Sequence, residues 1–165
     1  MAAPASSSPP PAAAAPAAPR ASFFDRLSAR CDAVDSILCV GLDPHRQDLE
    51  ARGDVSAEGA FAFCQNLIDL TKHVAACYKP NAAFFEALGA AGAGALARVI
   101  AYVPDGIPVL LDCKRGDIGS TAAAYAAAAY DVLGADAVTV NPYMGVDSVV
   151  PFTQDPAKGV FVLCK

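Results

Sequence analysis

The segment Leu110-Leu111-Asp112-Cys113-Lys114-Arg115-Gly116-Asp117-Ile118 places two acids and two bases at the end of an apolar run. On an extended strand, residues two apart project to one side, so Asp112 and Lys114 face together while Cys113 faces the other way. Gly116 permits a sharp change of direction, which carries Asp117 to a helix N-terminus, where exposed amides favour a carboxylate. A lysine held among aspartates stays protonated and fixed in position, which suits a proton donor better than a nucleophilic amine. The same residues also fit an ordinary strand-to-helix loop with solvated charges, one of them an N-cap. Spacing by itself leaves the two readings level.

The elements that must position this cluster show a regular alternation. Short runs rich in Val, Leu and Ile alternate with longer alanine-rich segments, the pattern of βα units around a parallel sheet. Strands are predicted near Ile37–Leu42, Ala76–Lys79, Ile107–Asp112, Ala137–Asn141 and Gly159–Cys164. Helices are predicted near Ala57–Lys72, Ala82–Tyr102 and Ser120–Leu133, with a short one near Asp147–Phe152. Ser120 or Thr121 is placed to cap the third of these, and Gly134 to follow its C-terminus. Every apolar run leads into polar groups: Asp43, Lys79, Asp112 with Lys114, Asn141 and Lys165. In a parallel β/α barrel these ends converge on the face where active sites sit. No G-x-G-x-x-G follows the first strand, so a dinucleotide-binding open sheet is disfavoured. The predicted fold is therefore α/β, a (β/α)8 TIM barrel, here an incomplete N-terminal portion with about five strands, since a full barrel takes about 250 residues.

Composition narrows the classes further. Residues 1–21 are almost wholly Ala, Pro and Ser and read as a disordered tail, leaving 22–165 as the single domain, a partial barrel. A formal charge of −5 offers no general attraction to nucleic acid or an anionic membrane surface. The apolar stretches are interrupted by Glu86, Arg98 and Asp131, so no membrane span is expected. Six scattered cysteines without a C-x-x-C pair read as buried thiols of a reducing compartment, with Cys113 the candidate if one is reactive. His45 and His73 read as surface or helix-face residues, and Tyr78, Phe84, Phe85, Tyr125 and Tyr130 as packing. Arg115 is assigned no chemistry.

The pattern D-x-K-x-x-D-I-x-x-T, present as Asp112, Lys114, Asp117, Ile118 and Thr121, resembles the signature of orotidine 5'-monophosphate decarboxylases. The wording Asp-Cys-Lys-Arg-Gly-Asp-Ile-Gly-Ser-Thr is similar to the branch that includes bacterial type-2 enzymes. Val40-Gly41-Leu42-Asp43-Pro44, Tyr78-Lys79-Pro80-Asn81 with Phe84-Phe85-Glu86, and Asn141-Pro142-Tyr143-Met144-Gly145 extend the resemblance over Ser22 to Lys165. The resemblance implies decarboxylation of orotidine 5'-monophosphate to UMP, the last step of de novo pyrimidine synthesis. It implies that Asp43 binds the ribose, Lys79 joins a charged array, Asp112 sits against the scissile carboxylate, and Lys114 protonates C6. Asp117, Ile118 and Thr121 would enter a neighbouring subunit's site, which implies a homodimer. No metal and no organic cofactor are implied, the location is cytoplasmic unless an organelle signal lies past Lys165, and a fused orotate phosphoribosyltransferase domain is admitted.

The family's pyrimidine-contacting serine and its phosphate-gripping glutamine and arginine belong to later loops, so this polypeptide is expected to be inactive by itself, with an open sheet edge at its last strand. Two rivals remain. A metal-dependent sugar-phosphate decarboxylase of the same superfamily would need an acidic ligand where Lys79 stands. A non-catalytic interaction or regulatory fragment would fold without turnover.

Overall fold

The computed structural model describes residues 21–165; apart from Ala21, the expected tail lies outside the described residues. The chain opens with helix α1 (Phe23–Val34) and strand β1 (Cys39–Leu42), then α2 (Arg46–Ala51), α3 (Ala57–Thr71) and β2 (Cys77–Pro80). Helices α4 (Ala82–Glu86) and α5 (Gly89–Tyr102) lead to β3 (Leu110–Arg115). Next come α6 (Gly119–Ala127), β4 (Ala137–Val140) and β5 (Gly159–Val162), the last two separated by short 3-10 turns at Val146–Ser148 and Val150–Thr153.

All pairings are parallel. Strand β1 pairs with β2, and β3, β4 and β5 pair in that order, while bridges Tyr78↔Val109 and Asn81↔Asp112 join β2 to β3. Each strand therefore neighbours the next in sequence. A doubly wound sheet reverses direction at a switch point, whereas sequential order is the winding of a (β/α)8 TIM barrel. The predicted fold class and all five strands stand, with boundaries shifted by at most three residues.

The helices differ from expectation in several places, and the short helix predicted near Asp147–Phe152 is a pair of 3-10 turns. Helices α1 and α2 have no counterpart among the predicted elements, although Ser22 and Asp25 form a reciprocal capping box that starts α1. The predicted helix 82–102 is two helices. Gly89 takes φ +68 between them, and a Cβ on Gly92 would lie 1.9 Å from the Phe85 carbonyl oxygen, so α5 folds closely over the end of α4. Helix α6 starts at Gly119 with Ile118 as its N-cap, because the Ile118 carbonyl already accepts from the Ala122 amide; neither Ser120 nor Thr121 caps it. Its last turn widens into a π-turn at Ala128–Val132, followed by Gly134 at φ +76 as anticipated.

Apolar helix faces bury against the outside of the sheet, with Ile68, Tyr78, Phe85, Val99, Val138 and Phe152 among the side chains removed from water. On the inner side, Phe23 of α1 packs with Cys77, Leu110 and Ala137. These residues lie near the N-terminal ends of their strands, so α1 plugs that end of the sheet. A Cβ on Gly159 would sit 2.5 Å from the Phe23 ring, which explains a glycine at the start of β5. The opposite end is left to polar groups. The six cysteines are all free, but only Cys64 and Cys77 are buried, while Cys39 and Cys164 are exposed.

Candidate active site

At the C-terminal ends of β2 and β3, two ammonium groups converge on one carboxylate. The Lys114 ammonium donates to Asp112 Oδ1 at 2.5 Å, and Lys79 Nζ lies 3.6 Å from Asp112 Oδ2. The Asp112 side chain is 10% exposed, Lys79 32% and Lys114 50%, so the carboxylate is the buried member of the group. Within this group two cations flank one anion.

The geometry that joins Asp112 to Lys114 is not simple strand alternation. The β3–β4 register passes from Leu111↔Val138 to Arg115↔Val140, so β3 bulges where β4 runs straight. Lys114 takes φ +47, the left-handed region, at the crest of that bulge. The sequence expectation of a shared side is thus met by a different mechanism. Cys113 does pack into the apolar layer on the other side. Thr139 of β4 fills the gap: its Oγ1 accepts from the Cys113 amide at 3.0 Å and the Lys114 amide at 2.9 Å, and donates to Asp112 Oδ1 at 2.8 Å.

Burial by itself would push the Asp112 carboxyl up, but hydrogen bonds from Lys114 and Thr139 and the charges of Lys114 and Lys79 outweigh it and hold the group below the usual carboxylate range. A carboxylate depressed on folding stabilises the native state above its unfolded value of about 3.9, and that contribution is lost as pH falls through the folded value. Urea melts should accordingly show wild type more stable than Asp112→Asn at pH 7, with the gap narrowing at pH 3. An unchanged gap would show that the ionised carboxylate adds nothing to stability.

Asp43 completes the strand-end set. Leu42 pairs with Pro80 and Asn81 bridges to Asp112, so Asp43, Asn81 and Asp112 lie at one level on three adjacent strands. Asp43 Oδ1 is buried and has no hydrogen-bond partner among the described residues. A buried acceptor without a donor is a costly arrangement that a ligand hydroxyl would relieve. Among the described residues no group of three or more His, Cys, Asp or Glu is placed to hold a metal ion.

A family profile described as Orotidine 5'-phosphate decarboxylase / HUMPS family matches residues 36–165. The chain belongs to that family. Orotidine 5'-phosphate decarboxylase of Roseiflexus sp. (strain RS-1) is 54% identical over 144 residues, covering 87% of this chain and 53% of the relative. That of Herpetosiphon aurantiacus is 50% identical over 143 residues, covering 87% and 54%. Among solved structures, Leishmania donovani OMP decarboxylase superposes with TM-score 0.78 at 54% identity, over 87% of this chain and 54% of that one. Leishmania donovani UMP synthase does so with TM-score 0.80 at 53% identity, over 88% of this chain and 31% of that one. The chain spans about half the length of the curated relatives it matches.

Of the residues singled out by resemblance to the decarboxylase family, Lys79, Asp112 and Lys114 meet directly. Asp117, Ile118 and Thr121 stand apart on the loop and first turn of α6; Asp117 Oδ1 accepts from the Ile118 amide, and the Ile118 side chain is 58% exposed. Among the described residues, no hydrogen bond or ion pair links them to the triad. The Cys113 thiol is pushed up by burial, which disfavours its thiolate form. Arg115 pairs with Glu86 and lies over the Tyr125 ring, a structural tie between β3, α4 and α6. Thr139 is the functional candidate that sequence reasoning missed. Its only signal was a hydroxyl in the run Val138-Thr139-Val140, directly before a strand end.

Proposed function

We propose that the protein carrying this chain decarboxylates orotidine 5'-monophosphate to UMP, the closing step of de novo pyrimidine synthesis. The observation that carries the reading is the Lys114 ammonium held on buried Asp112, with Lys79 on the second oxygen, at the strand ends of a β/α barrel. In the reaction the bond from C6 to the carboxylate carbon breaks, carbon dioxide leaves, and the electron pair left at C6 takes a proton from Lys114 Nζ. Water stabilises such a localised carbanion poorly. An ammonium already fixed beside C6 stabilises charge as it develops, which lowers the barrier without equal stabilisation of the substrate.

Asp112 orients Lys114 and stands next to the scissile carboxylate. Asp43 uses its unpaired oxygen on a ribose hydroxyl. Asp117, Ile118 and Thr121 reach the site of a second copy, so the working unit is a homodimer, and exposed Ile118 is consistent with burial in such an interface. Sedimentation of active enzyme as a monomer would overturn the homodimer.

No step calls for a metal or an organic cofactor. In the metal-dependent alternative an acidic ligand is required at the end of β2, where Lys79 instead presents a cation to Asp112. Pyrimidine synthesis places the enzyme in the cytoplasm; no helix among the described residues is long and apolar enough to cross a membrane. The likeness to a UMP synthase supports a fused orotate phosphoribosyltransferase domain as one form of the parent protein. The direct test follows the pyrimidine absorbance of orotidine 5'-monophosphate with the protein that carries this sequence. Metal-independent conversion to UMP is expected; no turnover, or turnover abolished by chelation, would refute the reading.

A further inference from the structure

The hydroxyl of Thr139 sits at the only point where β3 and β4 fall out of register, and it is fully committed there. A threonine hydroxyl has one proton and two lone pairs. Both acceptor directions are taken by the amides of Cys113 and Lys114, so the single proton goes to Asp112 Oδ1. Asp112 Oδ1 is the same atom that receives Lys114 Nζ. One side chain from another strand therefore holds the backbone of Lys114 in its left-handed conformation and fixes the rotamer of the carboxylate that Lys114 grips.

The geometry points to Thr139 as a positioning residue for proton delivery: it sets the bulge and the Asp112 oxygen that together aim the Lys114 ammonium. This inference rests on the proposed role of Lys114 and goes beyond it by naming what orients the donor. Left-handed backbone at a non-glycine residue persists only where surrounding contacts over-determine it. The two amide bonds to Thr139 supply that constraint. The third bond preserves an ionised, correctly turned Asp112.

Replacing Thr139 with Val keeps the shape of the side chain and removes the hydroxyl. Loss of a hydrogen bond to a charged group corresponds to roughly a 10- to 100-fold effect. We expect kcat to fall by about that factor with KM changed less than about threefold, because the hydroxyl serves the reacting group rather than the bound substrate. Thr139→Ser retains all three bonds and should stay within about threefold of wild type. A merely structural side chain would give the reverse order, since Val preserves packing and Ser opens a methyl-sized gap. If Val prevents folding, Thr139→Ala, which leaves room for water but no fixed hydroxyl, is expected to show the same selective loss of kcat. Wild-type kcat in the Val variant, or in the Ala variant where Val does not fold, or a Ser variant as impaired as Val, overturns the inference. The Lys114→Ala variant assayed alongside separates the two levels: if that variant is unimpaired, the proposed reaction fails; if it is inactive while the Thr139 variants are normal, only the positioning role fails.

Discussion

Lys114→Ala is expected to lower kcat by about four orders of magnitude or more, the combined scale of losing a positioned general acid and a preorganised charge at the reacting atom. The fold should survive the change. Lys114 is 50% exposed, and Asp112 keeps Lys79 at 3.6 Å and the Thr139 hydroxyl at 2.8 Å, so no buried carboxylate is left alone. On the proposed reaction the ammonium acts on charge that appears as carbon dioxide departs, so KM should move far less than kcat. Single-turnover decarboxylation measured with saturating orotidine 5'-monophosphate checks both quantities. A variant that retains more than a few per cent of wild-type kcat would remove Lys114 from the chemistry.

The second large effect is expected at a residue with no side chain. A Cβ added to Gly116 would lie 2.1 Å from the Asn141 carbonyl oxygen, a backbone atom that cannot rotate aside. The glycine is required by close approach of the loops after β3 and β4, which are also stitched by the Asn141 amide donating to the Arg115 carbonyl at 2.7 Å. Alanine at 116 must push these loops apart by about 1 Å to reach ordinary contact. Overpacking of this kind costs about 1–3 kcal/mol of stability. A displacement of about 1 Å next to the catalytic group costs on the order of 100-fold in rate. Gly116→Ala should therefore melt at a lower temperature and, while still folded, show kcat reduced by about two orders of magnitude. Retention of wild-type kcat together with a lowered Tm would confine Gly116 to folding.

Much of the architecture was legible because its signals are local. The runs that became β1, β2, β3, β4 and β5 are short, apolar and separated by alanine-rich segments, and Gly134 marks a helix end through its own positive φ. Helix α1 was missed despite its Ser22–Asp25 capping box, since its burial depends on Phe23 reaching residues on β2, β3 and β4 far along the chain. The break between α4 and α5 was missed for a related reason. Alanine-rich sequence favours helix on both sides of Gly89, and only the packing of Gly92 on the Phe85 carbonyl shows where the chain turns.

The sequence by itself determined which residues could do the chemistry and at which strand ends they would stand: Asp43, Lys79, Asp112 and Lys114 each close an apolar run, and that order depends only on neighbouring residues. It also determined the parallel α/β class, through run lengths and periodicity. Only the tertiary structure decided how Lys114 meets Asp112. A two-residue period predicts that pairing on a straight strand, but β3 is bulged there, and the bulge is held by the Thr139 hydroxyl from another strand. Hydrogen bonds across such a separation leave no periodic trace in a chain, so the arrangement of the donor becomes visible only when the strands are side by side.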